Sequence, residues 1–373
     1  MNAADRVYGP KLVQTARAGM NAHRLAEADL FREGLPENIP EGLERVFLDV
    51  DEPPMLLAGL SWCWERGLLP FLGNPAWGER ERRQIRETLG FHGILHSDGW
   101  SLCGSKEDAD GGSPPADRAM LALATGGSTG AVRFALHGRY NLQAAARSYG
   151  QAFGSSGGPL ISALPLFHVS GWMPLVRAVE LGAPWHWIAP GEEALISYLK
   201  KKDEKGGHLS LVPTQLQRLQ RHPEVWRVLA DLEALFLGGT GVSVALGEFC
   251  KEQGIPLAVS YGMTETAAMV AVAKDWNEQR EWVFKPLPGN SFRSEEGELW
   301  VRTKGQMIGY FGASPFSSGK WWRTGDAGEV QDEGSFILQG RRRLLTDCLT
   351  ATMPSADSSP HPFRRIAATT APA

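Results

Sequence analysis

The sequence lacks the features that would indicate a metal site, a disulfide framework or a membrane span. Its 373 residues include only four cysteines, and none forms a CxxC pair or stands near a histidine at metal-ligand spacing. This scatter argues against both zinc and disulfides and predicts free thiols in a reducing compartment. The most apolar stretch, residues 159–190, is interrupted by His168, Arg177, Glu180 and several prolines. It is too broken to cross a bilayer.

An excess of charge of one sign is also missing. The chain has 38 Lys and Arg against 42 Asp and Glu, a net charge of −4, which provides no broad basic field for nucleic acid or an anionic membrane. The N-terminus shows no basic stretch followed by an apolar run, as a signal peptide would, and we expect a cytoplasmic protein. The length is sufficient for a large core divided into two or more domains or subdomains.

Strand-like and helix-like segments alternate along most of the chain. Apolar runs predict strands at residues 43–50, 118–125, 160–164, 209–212, 234–237 and 257–260. Helices are predicted at residues 55–64, 78–90, 142–149, 192–201, 215–219 and 244–252. This alternation predicts an α/β fold with a mostly parallel sheet, whose ligands bind at loops beyond the carboxyl ends of the strands. After about residue 290, short strands and turns predict a small antiparallel β unit.

One glycine-rich loop has the composition of a phosphate-binding site. It reads Thr125-Gly126-Gly127-Ser128-Thr129-Gly130 and follows a predicted strand. Glycines let backbone N–H groups approach an anion closely, and hydroxyl groups can donate to phosphate oxygens. A plain Gly/Ser turn is the alternative. No Gly-Lys-Ser/Thr closes the loop, so it is not a Walker A motif. A second segment, Gly239 to Val244, lacks the third glycine of a dinucleotide fingerprint, which argues against a Rossmann dehydrogenase.

Three further segments follow the loop in order. They are Leu164-Pro-Leu-Phe-His168-Val-Ser-Gly171, Ser260-Tyr261-Gly262-Met263-Thr264-Glu265-Thr266 and Trp322-Arg-Thr-Gly-Asp326. Together, across about residues 118–343, the four motifs resemble the adenylate-forming superfamily of acyl-CoA synthetases, luciferases and peptide-synthetase adenylation domains. The nearest likeness within it is to the o-succinylbenzoate–CoA ligase family of menaquinone and phylloquinone biosynthesis. That likeness lies in the short spacing before the loop, in the His168 segment, and in Arg133 where most relatives carry Pro-Lys-Gly.

The resemblance implies an architecture as well. It predicts stacked α/β AMP-binding subdomains over residues 1–289 and a small antiparallel, barrel-like β subdomain over 290–340. Residues 341–373 stand where the superfamily continues into a mobile C-terminal lid domain. They are rich in Ser, Pro, Ala and Thr, and no lysine follows Lys320, so the lid's catalytic lysine is expected to be absent. We expect a disordered tail that arises from a frameshift or truncation, or a lid that is encoded separately.

The resemblance also implies roles for individual residues. Residues 125–130 would cradle the β- and γ-phosphates of ATP, with Arg133 near the position of the usual loop lysine. Glu265, beside Thr264, would hold Mg²⁺. His168 would border the acyl site and orient the substrate carboxylate.

The nucleoside would be bound by residues from the later motifs. Tyr261, next to Gly262, would stack on adenine, and Asp326 would accept hydrogen bonds from the ribose hydroxyls, with Arg341 beside it. The remaining pocket-lining positions would be Gly238, Gly239 and Thr240. Outside this ordered constellation, His168 would be a core histidine, and Glu265 and Asp326 would be surface carboxylates or helix caps.

The implied reaction joins a small carboxylic acid to coenzyme A with ATP. The acid would attack the α-phosphate and expel pyrophosphate, and the thiol would then attack the acyl-adenylate and release AMP. Catalysis of this kind depends mainly on positioning and charge stabilisation. Without the lid, we expect ATP and acid to bind, adenylation to be slow and thioester formation to be negligible. The alternatives are another aryl- or fatty-acid–CoA ligase, and a non-catalytic nucleotide-binding remnant that serves as partner to a separate lid.

Overall fold

The computed structural model describes residues 3–20, 22–50, 52–90, 92–103, 119–126, 132–154, 157–189, 191–203, 205–316 and 319–341. Within these ranges the helices are α1 Ala3–Ala18, α2 Ala22–Glu33, α3 Pro53–Glu65, α4 Glu79–Leu89, α5 Arg139–Phe153, α6 Val169–Leu181, α7 Glu192–Lys201, α8 Pro213–Leu219, α9 Pro223–Ala230 and α10 Val244–Glu252. The strands are β1 Arg45–Asp49, β2 Leu69–Leu72, β3 His92–His96, β4 Gly99–Cys103, β5 Leu121–Gly126, β6 Val132–His137, β7 Leu160–Ser162, β8 Trp185–Trp187, β9 His208–Leu211, β10 Ala234–Leu237, β11 Leu257–Met263, β12 Ala268–Ala273, β13 Val283–Pro286, β14 Ser291–Glu295, β15 Glu298–Arg302, β16 Gly309–Tyr310, β17 Trp322–Val330 and β18 Phe336–Arg341.

The strands form two mixed sheets. The first has the order β16-β6-β5-β2-β1-β3-β4, and the second has the order β14-β15-β17-β18-β13-β12-β11-β10-β9-β7-β8. In the first sheet β5, β2, β1 and β3 are parallel, and in the second β8, β7, β9, β10 and β11 are parallel. Every predicted strand coincides with an observed one, and the α/β class is confirmed.

The expectation of mostly parallel sheets is correct only for the centre of each sheet. Short connections join β3 to β4 and β11 to β12, and a short connection can only return the chain antiparallel. From β12 onward every pairing in the second sheet is antiparallel. The β unit after residue 290 is therefore antiparallel as predicted. It is continuous with the large sheet because β13 pairs with both β12 and β18. The predicted domain boundaries remain a prediction.

A layer of helices separates the two sheets. Helices α1, α3, α5 and α6 contribute to one apolar core that also includes Leu48 and Leu123 from the first sheet and Phe236 from the second. A second core lies on the other face of the second sheet, beneath α7 to α10. Trp172 and Trp185 are almost fully buried between the sheets. No helix in the described part of the chain combines the length and the continuous apolar character that spanning a bilayer requires.

Residues 105–117, residues 127–130 of the glycine-rich loop and the tail after Arg341 lie outside the described residues.

Candidate functional site

The segment from Ser260 to Glu265 connects the predicted site residues. It comprises the end of β11 and a short 3₁₀ turn, Thr264–Thr266. The pairing of β11 with β12 shifts register between Tyr261 and Gly262. A Cβ at Gly262 would lie 1.8 Å from the carbonyl oxygen of Ala268, so only glycine permits this close approach. The irregularity directs neighbouring side chains of the segment to three different places.

The first place is a cavity of about 310 Å³. It lies at the carboxyl ends of β9, β10 and β11, where ligands of parallel sheets bind, and at the N-terminus of α6. Five predicted site residues line it: His168, Gly238, Gly239, Gly262 and Thr264. Thr240 follows these glycines along the chain but is exposed and does not belong to the cavity wall.

Two glycines leave bare backbone in the cavity wall. Gly239 has φ +84°, a left-handed conformation that favours glycine. A Cβ at Gly238 would lie 2.2 Å from the Oγ of Ser260, which donates a 3.0 Å hydrogen bond to the carbonyl of Leu237. A ligand can therefore approach the main chain here more closely than beside any larger residue.

His168 lies at the mouth of the cavity as the N-cap residue of α6. The imidazole is accessible to solvent, yet desolvation by the surrounding protein lowers its pKa. At neutral pH the ring is therefore neutral, with one nitrogen able to donate and the other able to accept a hydrogen bond.

Arg177 is a cavity residue that the motifs did not reveal. It lines the cavity although the residue is only 5% exposed, and its guanidinium carbon lies 4.2 Å from the centre of the Tyr149 ring. Burial lowers its pKa, but an arginine stays protonated in proteins. No carboxylate pairs with it among the described residues, so the cavity wall contains a buried cation that can bind an anion. The sequence signal was a lone arginine in an apolar helix.

The second place surrounds the buried carboxylate of Asp326. Asp326 on β17 accepts a 2.7 Å hydrogen bond from the Tyr261 hydroxyl at Oδ2 and pairs with Nε of Arg341 at 3.0 Å through Oδ1. Arg341 is its register partner on β18, so the sheet itself creates this ion pair. Burial raises the pKa of Asp326, and Tyr261 and Arg341 oppose the shift.

Tyr261 reaches this carboxylate from the core. Tyr261 is 7% exposed, and its ring packs against Phe284, Phe292 and Phe336. This packing leaves little ring surface for adenine in this conformation, and the stacking role stays a prediction.

The third place surrounds Glu265, the predicted metal ligand. The Glu265 carboxylate accepts a hydrogen bond from the Tyr310 hydroxyl, and the Arg133 guanidinium lies 4.2 Å from the centre of the same phenol ring. The negative charge of Glu265 contributes to the raised pKa of Asp326, so the two carboxylates are near enough to interact. A single carboxylate suits Mg²⁺, which is usually held by one or two carboxylates together with substrate phosphates and water.

Strand β5, which leads into the glycine-rich loop, lies against the turn that contains Glu265. Thr125 and Gly126 pair with Arg133 and Val132 on β6. The Thr125 hydroxyl oxygen is buried and has no hydrogen-bond partner among the described residues. Such a group can donate to a bound oxygen, which fits a phosphate loop. Residues 127–130 are outside the described ranges, so the phosphate-binding role remains a prediction.

Comparisons with known proteins show which family and which solved structures this chain is similar to. The family of AMP-binding enzymes matches residues 74–311. The 2-succinylbenzoate–CoA ligase of Escherichia coli strain K12 is 34% identical over 226 residues, which cover 58% of this chain and 46% of that protein. The chain thus spans about half the length of the curated relatives it matches.

Two solved structures of Bacillus subtilis O-succinylbenzoate coenzyme A synthetase share the fold. The complex with AMP has a TM-score of 0.68 at 22% identity, covering 88% of this chain and 91% of that one. The complex with ATP and magnesium has a TM-score of 0.67 at 21% identity, covering 88% and 74%.

Proposed function

Because the chain belongs to the family of AMP-binding enzymes, we propose that it binds Mg·ATP and a carboxylic acid for acid–CoA ligation. The acid we favour is o-succinylbenzoate. The proposal is supported by the relatives that carry this name and by the chemistry of the cavity.

The buried Arg177 is the observation that carries the choice of acid. o-Succinylbenzoate has two carboxylates, and only one of them is activated by ATP. The second remains an anion and needs a cationic partner when it leaves water. Arg177, 5% exposed in the cavity wall, offers a planar fork that matches a carboxylate with two hydrogen bonds.

Each of the described site residues would have one role in the first half-reaction, the formation of the acyl-adenylate. A carboxylate oxygen of the acid forms a bond to the α-phosphorus of ATP while the bond to pyrophosphate breaks. Neutral His168 would orient the attacking carboxylate, and the bare backbone at Gly238 and Gly239 would admit the mixed anhydride. Asp326 would accept from the ribose hydroxyls. Glu265 would hold Mg²⁺, whose charge when bound offsets that of the triphosphate.

A matched pair of acids tests the proposal. 3-Benzoylpropanoate is o-succinylbenzoate without the ring carboxylate, so the two differ only at the group assigned to Arg177. We expect ATP–pyrophosphate exchange, or acid binding measured by calorimetry with ATP present, to favour the diacid by roughly tenfold or more, since a hydrogen bond to a charged group contributes about 1.5–3 kcal/mol. Equal responses to both acids would contradict the assignment.

Variants at Arg177 identify the source of the preference. Arg177→Ala should abolish it, and Arg177→Lys should leave part of it, because lysine keeps the charge but loses the fork. Arg147→Ala is the control, since Arg147 is an exposed arginine that pairs with Glu180 at 3.5 Å. Unchanged preference in Arg177→Ala would remove this residue from the acid site.

The alternative functions give different results. A ligase for another aryl or fatty acid would show exchange with other members of an acid panel. A nucleotide-binding remnant would bind ATP without exchange, and a separately encoded lid polypeptide would restore exchange on addition. For the chain alone we propose slow adenylation and negligible thioester formation. Pyrophosphate release and thioester yield equal to those of full-length acyl-CoA ligases would contradict this.

A further inference from the structure

Tyr310 lies between the two charged residues that the motifs assign to the triphosphate. Its hydroxyl donates to Oε1 of Glu265, and its ring faces the guanidinium of Arg133 at 4.2 Å. A protonated cation over the face of a tyrosine ring is attracted by the ring's quadrupole. One phenol therefore contacts a carboxylate through its edge and a cation through its face.

Backbone hydrogen bonds on both sides hold the phenol in place. The Met307 amide donates to the carbonyl of Glu265 at 2.8 Å, which ties the segment before Tyr310 to the 3₁₀ turn. The amides of Ile308 and Phe311 donate to carbonyls of β6, each at 2.8 Å. These hydrogen bonds fix the position of Tyr310 relative to both the Glu265 turn and β6, the strand that follows the glycine-rich loop.

The hydrogen bond occupies only one oxygen of the carboxylate. A carboxylate has two oxygens and about four acceptor positions, so Oε2 of Glu265 remains for a cation while Oε1 is held. Carboxylates that bind metals are commonly oriented by such a hydrogen bond, and loss of the outer partner typically weakens metal affinity by 10–100-fold.

We propose that Tyr310 is a positioning residue that orients the Glu265 carboxylate for the Mg²⁺ of Mg·ATP and separates this carboxylate from Arg133. The inference rests on the proposed function, because it requires that the site take Mg·ATP. It does not depend on which acid is used.

Tyr310→Phe is the test, because it keeps the ring beneath Arg133 and removes only the hydroxyl. ATP binding is followed by calorimetry at fixed ATP while MgCl₂ is titrated, and again in EDTA. The Mg²⁺ concentration for half-maximal binding should rise by about tenfold or more, and ATP affinity in EDTA should not change. Tyr140→Phe, at a tyrosine that is 71% exposed, is the matched control and should behave like the parent.

A double-mutant cycle separates positioning from damage to the fold. In the Glu265→Gln background, Tyr310→Phe should cause no further change in Mg²⁺ dependence, because the carboxylate it orients is gone. Thermal unfolding midpoints confirm that each variant is folded.

Three results would overturn the inference. The first is a Tyr310→Phe variant with the parent's Mg²⁺ requirement, and the second is an equal loss of ATP affinity with and without Mg²⁺. The third is a full effect of Tyr310→Phe in the Glu265→Gln background. If the parent itself shows no Mg²⁺-dependent ATP binding, the proposed function fails, and this inference fails with it.

Discussion

The hydroxyl of Tyr261 donates a 2.7 Å hydrogen bond to Oδ2 of Asp326, which joins two of the sequence motifs across 65 residues of chain. Arg341 completes the arrangement from the neighbouring strand, with its Nε 3.0 Å from Oδ1 of Asp326. A carboxylate that is predicted to bind ribose is thus already held by two protein groups, although burial still raises its pKa above the ordinary value of 3.8.

This raised pKa predicts a pH dependence of stability. The folded protein binds the Asp326 proton more tightly than the unfolded chain, so the stabilising contribution is complete below the unfolded pKa and is lost as pH rises through the folded pKa. Asp326→Asn cannot titrate. Its free energy of unfolding relative to the parent should therefore increase as pH rises from about 4 towards neutrality, as measured by urea denaturation at several pH values. A constant or decreasing difference would contradict the prediction.

His137 predicts the opposite dependence. It is fully buried, its Nδ1 lies 2.8 Å from the Asn141 side-chain nitrogen, and burial lowers its pKa to about 4. The unfolded chain therefore takes up the proton first, and stability is lost as pH falls from about 6.5 to about 4, by roughly 3 kcal/mol for this group. The parent's unfolding free energy should fall more steeply over this range than that of His137→Asn.

The control for this prediction is His222→Asn. His222 lies near the surface, between Glu192 and Glu224, so this variant controls for the replacement of a histidine outside the core. Parallel pH profiles for the parent and His137→Asn would show that His137 is not the titrating group.

The cavity wall gives a steric prediction. Gly238→Ala would place a Cβ 2.2 Å from the Oγ of Ser260, and this overlap should cost about 1–3 kcal/mol of stability. Ser260→Ala removes the obstructing oxygen, so the double variant should recover part of the loss. Gly241→Ala is the matched control, because a Cβ there meets no atom within 4 Å. Urea denaturation that shows no loss in Gly238→Ala, or no recovery in the double variant, would contradict the packing argument.

Arg133 gives a prediction for nucleotide binding. Arg133→Ala removes a positive charge next to the glycine-rich loop, and it should weaken ATP binding by about 10–100-fold, the range expected for hydrogen bonds to charged groups, with a smaller effect on the acid. Arg139→Ala is the control, because Arg139 also lies over a tyrosine ring, at 4.8 Å from the centre of exposed Tyr140. Equal ATP affinity in the parent and Arg133→Ala, by calorimetry, would remove Arg133 from the site.

Much of the fold followed from local sequence pattern. Short apolar runs such as residues 234–237 become fully buried strands, and glutamates and arginines with few apolar residues become the solvated helix α4. Connections were harder to predict. The antiparallel edges of both sheets depend on the length and geometry of turns, which hydrophobic pattern does not record.

The candidate site was predictable only where its residues belong to motifs. Arg177 and Tyr149 are 28 positions apart, and no spacing rule links them, yet the packing of α6 against α5 brings the guanidinium to 4.2 Å from the phenol ring. Tyr310 and Glu265 become neighbours only because β16 joins the sheet edge beside β6. Such pairs arise from non-local contacts, which one sequence without structure does not define.

By itself, the sequence determined the chemical groups of this site and their order along the chain: the glycines, the histidine, the two carboxylates and the arginines. The tertiary structure alone decided which way each group faces. Side chains alternate along a strand, and the irregularity at Gly262 interrupts that alternation. Tyr261 therefore enters the core while Thr264 lines the cavity and Glu265 contacts Tyr310. Orientation at this level depends on contacts with other elements, and some of these, such as β16 and β17, lie much further along the chain.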